Sequence, residues 1–194
     1  MTYGLTLPAP SSTLAVSLAD LKSHLRVDYT DDDALITTLA LAAAQFFETQ
    51  TNLSIINKTY VMTLADWPIG DFINLPRAPV QSVTSVQYLD TSGVWQTLSV
   101  SNYQVDITSQ PACVIRGSGA IWPSLKSEAI PAVKITFVAG YGTDSTAVPV
   151  LIQAAIKFIT AHWFYNREAA TSTQMSDLPF AVTAIINSHR VGWL

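Results

Sequence analysis

Residues 148–170 read VPVLIQAAIKFITAHWFYNREAA, and this stretch decides the fold. Apolar residues recur along it at helical spacing in two neighbouring stripes, which predicts one long helix that is apolar on more than one face. The first stripe consists of Leu151, Ala155, Phe158, His162 and Tyr165. The second stripe consists of Ile152, Ile156, Ile159 and Trp163. The polar edge of the helix is expected at Gln153, Lys157, Thr160 and Arg167.

A helix of this kind needs packing partners on more than one side. In a chain of 194 residues, one of those partners can be another copy of the chain or a different protein, which indicates assembly rather than catalysis. The alternative is an ordinary central helix of the core. We assign the second stripe to a subunit interface or to the core, and it comprises Ile152, Ile156, Ile159 and Trp163.

The composition limits the possible function classes. Apolar residues make up 49% of the chain and charged residues 12%, which excludes a disordered protein and leaves few charges to cover a surface. The net charge is −4, and lysine and arginine do not cluster anywhere along the chain. Because DNA-binding proteins neutralise phosphates with clustered basic side chains, sequence-specific DNA binding is not expected.

Three further helices are predicted. The first follows Ser17 as N-cap, with Asp20 at the position that completes a capping box. The second follows Thr30 as N-cap and begins with three aspartates, a charge that the helix dipole favours there. Its buried face is expected at Leu35, Leu39, Ala42, Ala43, Phe46 and Phe47. The last helix begins after Ser176 and Asp177, with its apolar face at Val182, Ile185, Ile186 and His189. Residues 1–12 are expected to form a loose arm.

Between residues 55 and 139 the apolar period changes from helical to two. Tyr60, Met62 and Leu64 alternate with polar or smaller neighbours, as do residues 133–137, which is typical of half-buried strands. The sequence therefore predicts an α+β fold, in which a helical bundle frame of about four helices carries a small antiparallel β unit of five or six strands. The frame comprises residues 1–54 and 140–194, and the β insertion comprises residues 55–139, together forming one compact domain.

Signatures of catalysis, metal binding and cofactor binding are not found in the sequence. The histidines His24, His162 and His189 lie on three different predicted helices, so no two of them are placed three or four positions apart as a helical metal pair requires. We therefore expect no enzyme activity, no metal and no cofactor. Membrane spans and a signal peptide are also not expected. The single cysteine, Cys113, suits a reducing cytoplasm. The aromatic residues of the β unit either fill its small core or form a sugar or base platform, and they are Trp67, Tyr88, Trp95 and Trp122.

The chain ends in Trp193 and Leu194, two apolar residues at an untethered terminus. Such residues indicate docking into a partner, with a frayed end as the alternative.

An ordered set of short segments resembles the head–tail connector (adaptor) proteins of long-tailed bacteriophages. No single segment is diagnostic, and the resemblance rests on their order along nearly the whole chain. The segments are VSLADLK at 16–22, LRVD at 25–28, DDD at 31–33, LPRAPV at 75–80, FVAGYG at 137–142, VP at 148–149, HWFYNRE at 162–168 and LPFAV at 178–182.

The resemblance implies a structural virion protein without enzyme activity. It implies a homo-oligomeric adaptor ring, typically of twelve subunits, that lies between the portal protein and the tail and continues the DNA channel. DNA would pass through the ring without sequence-specific binding, and a stopper or tail-completion protein would bind on the tail side. The protein would be assembled in the host bacterial cytoplasm. By position, the portal-binding residues would be Arg190, Val191, Gly192, Trp193 and Leu194.

Three other functions stay open at this point. The most similar alternative function is that of another virion assembly component, such as a stopper or tail-completion protein. A small-ligand or carbohydrate-binding module would require a concave aromatic patch on the β unit. A hydrolase would require an acid, a base and a nucleophile that converge in space.

Overall fold

The computed structural model describes residues 3–6, 11–166 and 180–192. The described residues form four helices and eight strands, which confirms the predicted α+β class. The helices are α1 (Leu18–Leu25), α2 (Asp33–Thr51), α3 (Val150–Tyr165) and α4 (Phe180–His189). The strands are β1 (Tyr3–Thr6), β2 (Lys58–Leu64), β3 (Phe72–Asn74), β4 (Val80–Leu89), β5 (Trp95–Thr97), β6 (Tyr103–Asp106), β7 (Cys113–Arg116) and β8 (Val133–Ala139).

The chain separates into two compact units. The helical unit comprises residues 10–56 and 141–190, and it contains α1 to α4. The β unit comprises residues 1–9, 57–140 and 191–194, and it contains all eight described strands.

The helical unit packs around α2 and α3. Helix α1 begins as predicted, because the Ser17 side chain accepts a hydrogen bond from the Asp20 backbone N–H at 3.1 Å. Helix α2 begins at Asp33 and not directly after Thr30, whose carbonyl accepts from the Asp33 N–H in a preceding turn. The Lys22 ammonium lies 2.6 Å from the Asp33 carboxylate and ties the start of α2 to α1.

Two details of helix burial differ from the prediction. The buried face of α2 is centred on Ile36, Ala40, Ala43 and Phe47, whereas Ala42 is exposed. Thr160 is fully buried instead of marking a polar edge of α3, since it lies four residues after Ile156 and therefore on the same face. The apolar face of α4 is confirmed, with Val182 and Ile186 buried, while its predicted start near Ser176 and Asp177 lies outside the described residues.

The β unit contains a five-stranded antiparallel sheet in the order β1-β2-β8-β4-β5 and a three-stranded sheet in the order β3-β7-β6. The predicted alternation of β2 and β8 is confirmed, because Tyr60 pairs with Phe137 and Met62 with Ile135 on the buried face. These side chains form one core with residues of the smaller sheet, including Ile73 and Val114.

The expected loose arm at residues 1–12 is wrong for residues 3–6. Strand β1 pairs with β2 in antiparallel register, with Leu5 opposite Met62, and Leu5 packs against the core of the β unit. Strand β3 was also not expected, so that the region from 55 to 139 holds seven described strands instead of five or six. Both strands have only three or four residues, too few for a period of two to stand out.

Candidate assembly surfaces

Helix α3 has one apolar face in the core and another at the surface. Ile152, Ile156 and Ile159 of the second stripe are at most 1% exposed, so they belong to the core of the helical unit. Trp163 is half-buried and packs edge-to-face on Phe46, with 6.0 Å between the ring centroids. In the other stripe Ala155 is also buried, so that only its large side chains are left at the surface of α3 for another molecule to contact.

Three large side chains of the first stripe are exposed on α3. Leu151 is 58% exposed, Phe158 40% and Tyr165 65%, and we call these three residues the helical stripe. They lie seven residues apart, which places them on one side of the helix along roughly 21 Å. Exposed apolar side chains in such a row are typical of an interaction surface.

Helix α1 holds the helical stripe in place. The His24 ring packs edge-on against Phe158 at a centroid distance of 5.7 Å. The Tyr165 hydroxyl donates a hydrogen bond to the Leu25 carbonyl at 2.7 Å. Because these contacts fix two of the three side chains, little conformational freedom is left to lose when a partner binds.

The β unit has an exposed apolar surface of its own, beside strand β3. Phe72 is 58% exposed, Ile121 is 81% exposed and Ile69 is fully exposed, and we call these residues the sheet patch. The hydrophobic pattern of the sequence does not predict this patch. The available signal was weak, since two isolated isoleucines in segments rich in proline and glycine do not form a periodic pattern.

Arg116 connects the segments that carry the sheet patch. Its Nε donates to the Asp71 carboxylate at 3.0 Å, next to Phe72 in the chain. One of its terminal nitrogens donates to the Ala120 carbonyl at 2.9 Å, next to Ile121. The patch therefore has a charged rim that is already satisfied by hydrogen bonds.

The net negative charge of the chain comes from the residues of the helical unit. The sequence segments of the β unit contain five basic and five acidic residues, whereas those of the helical unit contain five basic and nine acidic residues. The helical unit thus has a net charge of −4 and the β unit is neutral. On α3 itself, Lys157 is the one lysine or arginine, and the helix has no acidic residue.

The predicted portal-binding segment is described only in part. Arg190 and Gly192 are exposed, whereas Val191 is buried. Trp193 and Leu194 lie outside the described residues. The role of this segment stays a prediction.

The aromatic residues of the β unit pack onto its core. Trp67 and Trp122 stack with 4.4 Å between ring centroids, and the Trp67 indole N–H donates to the Pro123 carbonyl. Tyr88 packs beside Trp67, and Trp95 lies under the Lys134 ammonium at 3.9 Å. Since Trp67, Tyr88 and Trp122 all contact the core, they support the core interpretation over an open platform.

Several carboxylates with a lowered pKa cap turns. Hydrogen bonds from Ser109 and Thr108 hold the pKa of Asp106 well below its ordinary value, and bonds from Thr146 lower the pKa of Asp144. Burial raises the pKa of the Cys113 thiol, which keeps it protonated. These groups are therefore suited to structural roles rather than to proton transfer or nucleophilic attack.

The residues that the structure describes contain neither a metal-binding cluster nor a membrane-spanning helix. In that part of the chain, groups of three or more histidine, cysteine or acidic residues arranged to hold a metal ion do not occur. None of its helices combines the length and the apolar character needed to span a bilayer.

Comparison with solved structures finds similar chains in the neck of a phage-like particle. A chain from the neck of an empty gene transfer agent particle, computed with C6 symmetry, is 26% identical with a TM-score of 0.77. A chain from the virion of the native gene transfer agent particle is 25% identical with a TM-score of 0.78. A chain from the native neck, computed with C12 symmetry, is 26% identical with a TM-score of 0.75. Each comparison covers 100% of this chain and 97% of the other.

A search of curated protein sequences finds no match. The family model of the head completion protein matches residues 15–191, which is most of the chain. This is a family of structural neck proteins and not of enzymes, in agreement with the expected resemblance. The chain belongs to the head completion protein family.

Proposed function

We propose that the protein forms an adaptor ring between the portal and the tail of a phage-like virion and continues the DNA channel. The observation that carries this proposal is the likeness, along the whole chain, to chains from particle necks computed with six-fold and twelve-fold symmetry. A ring of twelve copies agrees with the second of these symmetries. The protein would be assembled in the cytoplasm of the host bacterium and would bind a stopper or tail-completion protein on the tail side.

The surface of the chain supports repeated assembly. Each unit has exposed large apolar side chains, which are the helical stripe on α3 and the sheet patch beside β3. A symmetric ring uses such surfaces in every copy, so that the apolar area becomes buried between subunits.

The charge of the chain supports passage of DNA without binding. Each copy has a net charge of −4, which becomes −48 in a ring of twelve copies. A channel wall with this charge repels the phosphates of DNA. Such a wall does not displace the counterions of the DNA, so their release does not contribute to binding of the duplex. We therefore expect the ring to let DNA slide through without sequence-specific contacts.

The C-terminal segment from Arg190 to Leu194 is proposed to bind the portal. Deleting residues 192–194, or changing Trp193→Ala, should weaken binding to the cognate portal at least tenfold, because tryptophan is among the residues most enriched at binding hot spots. The fold should be unchanged, as measured by circular dichroism and thermal melting. Binding is measured by surface plasmon resonance on immobilised portal.

The matched control for this prediction is Phe180→Ala. Phe180 is an aromatic residue at the opposite end of α4, and it is 88% exposed. This variant should bind the portal like the unmodified chain. Unchanged portal affinity of the truncated protein would refute the proposed role of the segment.

Ring formation is tested by mixing the protein with its purified portal and measuring the mass of the complex by light scattering. We expect a complex in which about twelve copies join one portal. A portal that binds no copies, or a single copy, would contradict the proposal.

A further inference from the structure

A ring of more than two copies requires two different, complementary faces on each subunit. This inference rests on the proposed ring. We infer that the helical stripe of one copy docks onto the sheet patch of the next copy around the ring. The seam is thereby formed by the helical unit of one subunit and the β unit of its neighbour.

The two surfaces have the properties that a head-to-tail seam requires. They lie on different units, each carries three exposed large apolar side chains, and neither is a copy of the other. Contacts to α1 fix Phe158 and Tyr165 on one face, and Arg116 links the segments of the other. Two surfaces that are ordered before binding lose little entropy when they meet.

Charge determines which surface the helical stripe prefers. Pairing of two helical stripes would bring two helical units together, each with a net charge of −4, and would close a dimer instead of a ring. The β unit is neutral, so docking there avoids the repulsion. Lys157 is the only charged residue on α3, and the Asp71 carboxylate at the rim of the patch is 63% exposed and can face it.

The first test uses two variants with one damaged face each. Variant A carries Leu151→Glu and Phe158→Glu in the helical stripe, and variant B carries Phe72→Glu and Ile121→Glu in the sheet patch. Neither variant alone should form rings on the portal. An equimolar mixture should stop at pairs of about 42 kDa, twice the 21.0 kDa of one chain, because the intact patch of A accepts the intact stripe of B.

Matched controls place the same charge outside the two faces. Val150→Glu lies on α3 outside the three residues of the stripe, and Val100→Glu lies in the β unit outside the three residues of the patch, both at residues that are at least 77% exposed. Both controls should form rings like the unmodified chain. If A or B also forms normal rings, the inferred seam is wrong while the proposed ring stands.

The second test detects the contact between the helical stripe and the sheet patch directly, by crosslinking in assembled rings. A photoreactive phenylalanine analogue at position 151 should crosslink to the segment 69–72 or to residue 121 of another copy. Crosslinks to the helical unit of the neighbour, or to the portal alone, would overturn the inference. Failure of the unmodified chain to form rings at all would instead overturn the proposed function, and the inference with it.

Discussion

The Phe137→Ala variant should lose about 3–5 kcal/mol of unfolding free energy, the cost of removing a large aromatic side chain from a packed core. Phe137 is fully buried in the central strand β8, and its ring stacks on Tyr60 of β2 at a centroid distance of 5.5 Å. Val83 of β4 lies opposite it on the other side. Because three strands surround the ring, the cavity cannot close by movement of one loop.

Urea unfolding followed by circular dichroism measures this loss. The matched control is Phe72→Ala, the same substitution at a ring that is 58% exposed, and it should cost less than about 1 kcal/mol in the monomer. Equal losses in the two variants would show that Phe137 does not hold the sheet together.

The Gly140→Ala variant should be destabilised by roughly 2–4 kcal/mol, from backbone strain and steric overlap together. Gly140 has a φ of +144°, a conformation that favours glycine. A Cβ at this position would lie 2.5 Å from the backbone nitrogen of Asn57. The residue cannot shift easily, because its N–H donates to the Pro79 carbonyl and its carbonyl accepts from the Gln81 side chain.

Gly70→Ala is the control for this variant. A Cβ on Gly70 would meet no atom within 4 Å, and its φ is not in the positive range. Its melting temperature should stay within about 2 °C of that of the unmodified chain, or rise slightly, because alanine restricts the unfolded chain. A Gly140→Ala variant that melts like Gly70→Ala would show that the turn tolerates a side chain.

Local signals in the sequence predicted several elements correctly. The cap at Ser17 was recognised because its hydrogen bond lies within three residues, and β2 and β8 because seven residues suffice for alternation to show. The turn between β4 and β5 is equally local, because the Gly93 N–H donates to the Asp90 carbonyl three residues before it. Each of these elements is specified by residues close to it in the chain.

Burial was harder to predict where a helix is apolar on several sides. In α2, Leu35 and Ile36 are equally apolar, and only packing against other helices decides that Ile36 is buried. In α3, both stripes looked alike, but Ile152 is buried and Leu151 is exposed. The hydrophobic pattern gives the period of a helix, whereas tertiary contacts determine which face turns inward.

The candidate assembly surfaces were predicted in part. The apolar residues on more than one face of α3 indicated a binding partner, and the family resemblance implied that the assembly is a ring. The sheet patch could not be predicted, because the segment of Ile121 is linked to that of Phe72 through Arg116, which bonds Asp71 45 residues away and Ala120 nearby. Such a surface exists only after folding.

Electron cryomicroscopy of the protein assembled with its cognate portal tests the central claim most directly. The proposed function predicts a closed ring of twelve copies at the narrow end of the portal, with the DNA channel running through its centre. Isolated copies scattered on the portal, or a portal without any bound copy, would contradict it.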